Sequence, residues 1–127
     1  MSTVHELPSC PVGVTVRVIG SKWKLLILQQ LSSGPMRFTE LQAALAGISK
    51  KVLSSTLRSL HEDGIVIRDV HTGSPISVAY ALSDIGRSLQ PVLDAMGAWG
   101  ERYRKWREHS QTGACPDEEA GAQGSIM

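Results

Sequence analysis

The 127 residues of this chain are enough for one domain with a modest core and little else. The hydrophobic fraction is 42%, of which few residues are aromatic, and no apolar run is long enough to span a bilayer. The first residues lack the basic-then-apolar pattern of a signal peptide, so we expect a cytoplasmic protein without a membrane partner.

The charge is distributed unevenly, although the formal net charge is only +1. All 13 Lys and Arg residues lie between Arg17 and Arg107, a stretch that holds only seven of the 12 acidic residues, so that it carries +6. A basic body with an acidic tail fits a polyanion such as nucleic acid. Many small soluble domains carry a similar surplus, so charge alone does not establish the partner.

The sequence offers no set of residues for metal binding or catalysis. Cys10 and Cys115 lie near opposite ends, form no C-x-x-C pair, and stand at no metal-ligand spacing from a histidine. His61, Glu62 and Asp63 are consecutive and therefore project in different directions from a helix end. We predict no metal site, no cofactor and no enzymatic activity.

Helix start and stop signals divide the first half of the chain into four helices. Proline at a first helical position and serine caps supply most of the starts. The predicted helices are residues 11–19; residues 22–31, capped by Ser21; about residues 39–45, with a capping box of Thr39 and Gln42 and a stop at Gly47; and residues 50–61, capped by Ser49.

The second half changes to a period of two residues. Residues 65–71 and 77–82 are β-type runs joined by a Gly- and Pro-containing loop, which predicts a hairpin. Ser83 caps a long last helix from Asp84 to about Arg107.

The order of these elements predicts a winged helix-turn-helix, mainly α with a small β-hairpin. The third and fourth helices form the helix-turn-helix, and the hairpin forms the wing. The predicted boundaries are a flexible N-terminus over residues 1–9, the domain over residues 10–107 and a disordered acidic tail over residues 108–127.

The fourth helix carries the clearest candidate for a DNA-binding face. Its apolar positions are Val52, Leu53, Leu57 and Leu60, of which the stripe of Leu53, Leu57 and Leu60 is turned inward. The stretch from Ser49 to Leu60 contains no acidic residue, whereas an ordinary exposed helix mixes charges. Small hydroxyl residues let a helix approach the major groove, while Lys and Arg reach bases or phosphates. A solvated face also favours these residue types, but the absence of acids favours a recognition helix. Its outward residues are Lys50, Lys51, Ser54, Ser55, Arg58 and His61.

Further candidate contacts lie outside this helix. Arg37 precedes the predicted capping box, where it would grip a phosphate, although a plain surface arginine fits as well. Arg68 and His71 in the hairpin would follow the adjacent minor groove or its phosphates. Asp69, between them, favours only a light contact.

Several sequence blocks resemble the HxlR-type winged helix-turn-helix regulators of bacteria, within the MarR-like superfamily. The resemblance covers roughly residues 10 to 106 in the family's order. Its blocks are Cys10–Val12, Ile19–Leu28, Gly34–Leu41, Gly47–Ser49, Leu57–Ile65, Tyr80–Gly86 and Trp99–Tyr103.

The resemblance implies a repressor-type regulator, held as a homodimer by its first and last helices, that binds a near-palindromic operator in double-stranded DNA. Two recognition helices would then enter successive major grooves about 34 Å apart. The resemblance also implies that Arg37 contacts the DNA backbone and that the DNA-binding face comprises Ser49, Lys50, Lys51, Ser54, Ser55 and Arg58.

One departure from the family lies in the second wing strand. The family often has Pro-Pro-Arg-Val-Glu-Tyr where this chain has Pro75-Ile-Ser-Val-Ala-Tyr80, so Ser77 and Ala79 replace an arginine and a glutamate. An ion pair or phosphate contact usual at that strand is missing. We therefore expect a weaker wing contact.

Cys10 leaves two interpretations open. Several relatives use a cysteine in this position to sense oxidants or small electrophiles, and a helix N-terminus favours the reactive thiolate. An adduct at a dimer interface would change the subunit geometry and the fit to the operator. The alternative is a small apolar residue packed in the interface, with no cation adjacent in sequence to assist. Cys115, in the predicted tail, is expected to do nothing.

Two rival functions remain. A MarR-like regulator would respond to a small molecule without thiol chemistry, but the few aromatic residues leave no evident cage for a ligand. A winged helix used only for protein–protein contact would present an apolar or acidic face, whereas this face is basic. A steep loss of DNA affinity with rising salt would separate DNA binding from the latter.

Overall fold

The computed structural model describes residues 7–73 and 75–111. These residues form two compact units, the first ending at Gln90 and the second beginning at Pro91, and each is described by itself. The elements in chain order are α1 (Pro11–Ile19), α2 (Lys22–Leu31), β1 (Met36–Arg37), α3 (Phe38–Ala44), α4 (Lys50–Glu62), β2 (Val66–His71), β3 (Ser77–Leu82), α5 (Asp84–Arg87) and α6 (Gln90–Gln111).

The core of the first unit is built around one side of α4. Leucines recur there at i, i+4 and i+7, which puts them on a single face of a helix. This stripe packs toward α2 and β2. Burying one such side chain contributes about 1.5–3 kcal/mol. The fully buried residues are Leu53, Leu57 and Leu60 of α4, Ile27 and Leu28 of α2, Leu41 of α3 and Val66 of β2.

Serine caps begin three of the helices, as the sequence predicted. The Oγ atoms of Ser21, Ser49 and Ser83 each accept a hydrogen bond from the backbone N–H three residues further on, at 3.2, 3.1 and 3.1 Å. Each bond satisfies an amide that the first helical turn leaves without a partner, a contribution of about 1 kcal/mol. The starts of α2, α4 and α5 are therefore determined locally.

The predicted capping box of Thr39 and Gln42 is wrong. The cap of α3 is Arg37, whose backbone N–H donates to the carboxylate of Glu40 at 2.8 Å. Met36 and Arg37 pair with β3 as a short strand, so the extended backbone ends at Arg37 and the helix begins directly after it. The N-cap of α3 therefore lies two residues before the predicted cap Thr39.

The sheet has three antiparallel strands in the order β1-β3-β2. The predicted hairpin of β2 and β3 is confirmed, with a register that runs from Val66 opposite Leu82 to His71 opposite Ser77. The edge strand β1 was not predicted, because two residues are too few to show an alternating pattern. Its pairing with β3 joins the start of the helix-turn-helix to the wing.

The prediction of one continuous last helix is also wrong. The chain forms α5 and α6 separately, with a break at Ser88 and Leu89. Pro91 explains the break, because it has no N–H to continue the hydrogen-bonding of α5 and is well tolerated in the first turn of a new helix. Helix α6 runs to Gln111, past the predicted end at Arg107. Most of the predicted tail, residues 112–127, and residues 1–6 lie outside the described residues.

Candidate nucleic-acid interface

The helix-turn-helix consists of α3, a short turn and α4. Gly47 adopts φ +90° in this turn, a conformation that L side chains rarely take, and this explains the helix stop predicted there. The neighbouring Ile48 is buried, and its N–H donates to the Leu45 carbonyl at 3.2 Å. The turn is thus fixed to the core, and α4 begins from a defined position.

The face of α4 opposite its buried leucines is exposed and carries hydroxyl and basic side chains. Val52, an apolar residue beside the predicted inward stripe of Leu53, Leu57 and Leu60, is 37% exposed. Leu53 and Leu57, one turn apart, are both buried, and their burial determines which side of α4 faces the core. The exposed residues include every recognition-helix candidate: Ser49, Lys50, Lys51, Ser54, Ser55, Arg58 and His61.

The three cations of this face lack acidic partners. Lys50, Lys51 and Arg58 take part in no ion pair within the part of the chain that the structure describes. Exposed cations that are not neutralised internally remain available to an anionic ligand. The first acidic residue on α4 is Glu62, in its last position. The electrostatics of the face therefore favour a polyanion along most of the helix.

The three serines of this face have different hydrogen-bonding capacities. Ser49 Oγ accepts the capping bond and keeps its hydrogen to donate, whereas Ser55 donates to the Val52 carbonyl at 3.2 Å and keeps its lone pairs. Ser54 has no hydrogen-bond partner among the described residues. Donors and acceptors of both kinds are therefore available near the middle of α4.

Arg37 lies at the junction of β1 and α3, and its side chain is exposed. Its guanidinium forms no ion pair with a described residue, since only its backbone N–H contacts Glu40. The residue paired with it on β3 is Ala79, which carries no charge. The guanidinium is therefore free to contact an anion.

The wing candidates Arg68 and His71 are both exposed, but they lie on opposite faces of β2, because successive side chains of a strand alternate. Arg68 pairs with Tyr80 on β3, and His71 pairs with Ser77. The imidazole Nε2 of His71 is 3.2 Å from the carboxylate of Asp69. The sheet thus separates the two side chains instead of bringing them together.

A junction that the sequence analysis missed joins the end of the wing to the end of α4. The hydroxyl of Ser83 donates to the Gly64 carbonyl at 2.6 Å, and the Ile65 carbonyl accepts the Ser83 backbone N–H at 2.9 Å. A Cβ on Gly86 would lie 2.3 Å from the Ile65 oxygen, so only glycine permits this approach. The motif Leu82–Gly86 was the available signal. Its bonds hold the wing in position relative to α4.

Cys10 occupies the N-cap of α1 and is exposed. Its side chain makes no capping hydrogen bond, while its carbonyl accepts the Val14 N–H at 3.0 Å. The thiol is therefore accessible at a helix N-terminus, where the backbone dipoles favour a negative charge. On the same helix, Val12 and Val16 are 71% and 59% exposed, one turn apart.

The second unit, α6, exposes an aromatic face. Its apolar residues are spaced alternately by four and three positions, the spacing of a coiled-coil seam. Trp99 and Tyr103 stack with ring centroids 5.2 Å apart, and Trp106 lies 5.6 Å from Tyr103. The residues at this spacing are Val92, Met96, Trp99, Tyr103 and Trp106.

Within residues 7–73 and 75–111, no group of three or more His, Cys, Asp and Glu side chains is placed to hold a metal ion. No helix of the same ranges combines the length and apolarity needed to cross a membrane.

Comparison with known proteins agrees with this architecture. The HxlR-like helix-turn-helix family matches residues 18–108. The chain is 38% identical over 99 residues to the uncharacterised HTH-type transcriptional regulator YdeP of Bacillus subtilis, covering 78% of this chain and 77% of YdeP. The match to the family begins after α1 has started, so it does not include Cys10.

Solved structures similar to this one include those of HypR and YodB. The redox regulator HypR in its reduced form is 38% identical, with a TM-score of 0.74 over 78% of this chain and 98% of HypR. Diamide-treated YodB of B. subtilis is 35% identical, with a TM-score of 0.64 over 74% of this chain and 94% of YodB. The winged-helix fold and the sequence match agree, and the chain belongs to the HxlR-like helix-turn-helix family, which consists of transcriptional regulators and not of enzymes.

Proposed function

We propose that this protein represses transcription by binding, as a homodimer, a near-palindromic operator in double-stranded DNA. The observation that carries the proposal is the exposed face of α4, on which the three cations Lys50, Lys51 and Arg58 have no acidic partner. The phosphates of DNA supply the negative charge that this face lacks.

The dimensions of α4 suit the major groove. Its 13 residues extend about 20 Å, and a helix with its side chains fits a groove about 12 Å wide. In the proposed complex, Ser54 and Ser55 let the backbone approach the base edges, and Lys51 and Arg58 reach bases or phosphates. Arg37 contacts the sugar–phosphate backbone beside the groove. Arg68 and His71 are contacts of the wing.

The proposed dimer forms through α1 and α6. Exposed Val12 and Val16 on α1 and the aromatic seam on α6 are apolar surfaces that a soluble regulator buries against a second copy. A symmetric dimer presents two copies of α4 to successive major grooves, about 34 Å apart, which is why we expect a two-fold operator. The family resemblance favours the same arrangement.

Selection of bound sequences from random DNA tests this function. We expect a motif with two-fold symmetry and half-sites about 10–10.5 base pairs apart, centre to centre. Affinity for the selected duplex should fall steeply as KCl rises from 50 to 200 mM, by roughly 10³-fold if each protomer neutralises several phosphates. A flat salt response would favour a protein–protein interaction module instead, and a motif without symmetry would contradict the dimeric repressor.

We further propose that Cys10 makes the regulator responsive to electrophiles. The support is its exposure at the N-terminus of α1, next to the apolar residues of the proposed dimer surface. HypR and YodB are relatives whose structures were determined in oxidised or diamide-treated forms. In the proposed reaction, the Cys10 thiolate adds to a ring carbon of a quinone and a C–S bond forms, while the electrons of the ring C=C π bond move onto the quinone oxygen. That oxygen takes a proton from solvent, replacing the one that the thiol released, and tautomerisation gives the hydroquinone thioether.

Benzoquinone treatment of a Cys115→Ser variant tests the role of Cys10. We expect weaker operator binding after modification, with one adduct at Cys10 by mass spectrometry, and no change in the Cys10→Ser/Cys115→Ser control. Unchanged affinity of the modified protein would overturn thiol sensing. Loss of affinity that persists in the control variant would instead favour a MarR-like response to a non-covalent ligand.

A further inference from the structure

Three residues form a row across the three strands of the sheet. Arg37 on β1 and Asp69 on β2 are both paired with Ala79 of the central strand β3. Residues directly opposite each other in antiparallel strands project to the same face, with Cβ atoms about 4.5–5.5 Å apart. The methyl group of Ala79 therefore stands between a cation and an anion.

The two charges at the ends of this row do not meet. Arg37 forms no ion pair with any residue that the structure describes, and Asp69 contacts His71 on its own strand, at 3.2 Å from Nε2. Two strand spacings of roughly 4.8 Å separate the backbone of Arg37 from that of Asp69. The guanidinium thus keeps its full charge, and the nearest wing carboxylate is drawn toward the hairpin tip.

We infer that Ala79 is a positioning residue for DNA binding, because its small neutral side chain leaves Arg37 available to a phosphate. A carboxylate at position 79 would stand directly opposite Arg37, within reach of its guanidinium, and would hold the cation on the sheet. The inference rests on the proposed function, in which Arg37 contacts the DNA backbone. The missing charges at positions 77 and 79 predicted a weaker contact by the wing, whereas the register links the neutral Ala79 to a stronger contact by Arg37.

Four variants test the inference: A79E, the neutral isostere A79Q, R37A and the double variant R37A/A79E. The probe is a 40-base-pair duplex of random sequence, and the measurement is the apparent Kd between 50 and 200 mM KCl. We expect A79E to bind about tenfold more weakly at the lowest salt, with a log–log salt slope shallower by about 1 for each protomer bound. A79Q should remain close to the wild type. R37A should match A79E, and the double variant should be little weaker than R37A alone.

Two outcomes would overturn the inference alone. Equal binding by A79E and A79Q would mean that a carboxylate at position 79 does not act on Arg37. A full additional loss in R37A/A79E would mean that the carboxylate repels DNA directly. A wild type without salt-dependent binding would overturn the proposed function, and this inference with it. In A79E the new carboxylate would stand opposite Asp69, and repulsion between the two could prevent folding. In that case the comparison of D69N/A79E with D69N/A79Q provides the same test without the repulsion.

Discussion

Helices α4 and α6 are both amphipathic, yet only α4 buries its apolar face. The apolar stripe of α4 is buried, with Leu53 and Leu57 at most 2% exposed, and its polar face is solvated. On α6 the apolar face is exposed as well as the polar one, with Trp99 and Trp106 each about three-fifths accessible. The apolar face of α4 packs against α2 and β2 within its own unit, whereas α6 exposes apolar side chains to water, which is unfavourable.

The difference indicates what each exposed face binds. Unpaired cations among small hydroxyl residues, as on α4, favour a polyanion. Aromatic residues at coiled-coil spacing, as on α6, favour another apolar protein surface. The regulator would thus separate DNA recognition and dimerisation between two helices of different chemistry. The following predictions test this separation, beginning with the largest expected effect.

Truncation of a buried leucine of α4 should cause the largest loss of stability. Leu57→Ala removes a side chain that is 2% exposed and leaves a cavity, so we expect the free energy of unfolding to fall by about 2–5 kcal/mol in urea denaturation. Arg58→Ala, the next residue on the exposed side, should change it by less than about 0.5 kcal/mol. Equal losses for the two variants would contradict the orientation of α4.

A charge on the aromatic face of α6 should dissociate the dimer. Trp99→Glu would bury a carboxylate in the proposed interface, and we expect the dimer dissociation constant to rise about a hundredfold or more, as measured by sedimentation.

The control for this variant is Glu101→Gln, on the other side of α6. Arg104 holds the pKa of the Glu101 carboxyl below its ordinary value, first through a hydrogen bond and then through its charge. Because the pair is exposed and lies on the polar side of the helix, its loss should leave the dimer intact. Dissociation by both variants, or by neither, would break the assignment of α6 to dimerisation.

Cations on the two helices should differ in their effect on DNA binding. Arg58→Ala removes an unpaired cation from the proposed recognition face, and we expect affinity for the selected operator to fall about tenfold. Arg104→Ala removes a cation that is paired with Glu101 on α6, and operator affinity should stay unchanged. Both are measured by fluorescence anisotropy at one salt concentration. A larger loss from Arg104→Ala would shift the DNA contact to the second unit.

Ser49 is expected to combine a structural and a binding role, and its effect on stability should be smaller than that of Leu57. Ser49→Ala removes the cap of α4 and should lower the free energy of unfolding by about 1 kcal/mol. Ser49→Asp keeps a capping oxygen and should preserve stability, but its negative charge would face the phosphates and weaken operator binding several-fold. If Ser49→Asp binds DNA as tightly as the wild type, Ser49 does not belong to the DNA-binding face.

Local signals predicted most of the fold correctly. Serine caps, glycine stops and the 3.6-residue spacing of leucines act within one or two turns, so the starts of α2 and α4 could be deduced before any contact was known. The alternating runs on either side of a Gly- and Pro-containing loop likewise predicted the hairpin, but not its register. The candidate recognition face followed from the same spacing, since burial of Leu53, Leu57 and Leu60 determines which residues point outward.

The errors occurred where distant segments meet or a local signal was overlooked. The two-residue strand β1 exists only because β3 lies beside it, and its pairing places the N-cap of α3 at Arg37 instead of the predicted Thr39. The break between α5 and α6 had a local signal in Pro91, but a continuous apolar pattern obscured it. The hydrogen bond from Ser83 to the Gly64 carbonyl forms because the end of the wing lies beside the end of α4. The periodicity of a single segment does not predict that proximity.

The amino-acid sequence by itself determined which residues are exposed on α4, because helical periodicity and burial of the leucine stripe are properties of a single segment. Only the tertiary structure decided what surrounds the other candidates. The sheet register placed Ala79 between Arg37 and Asp69 and put Arg68 and His71 on opposite faces. Such pairings join residues far apart in the chain, and they depend on packing that the local pattern does not encode.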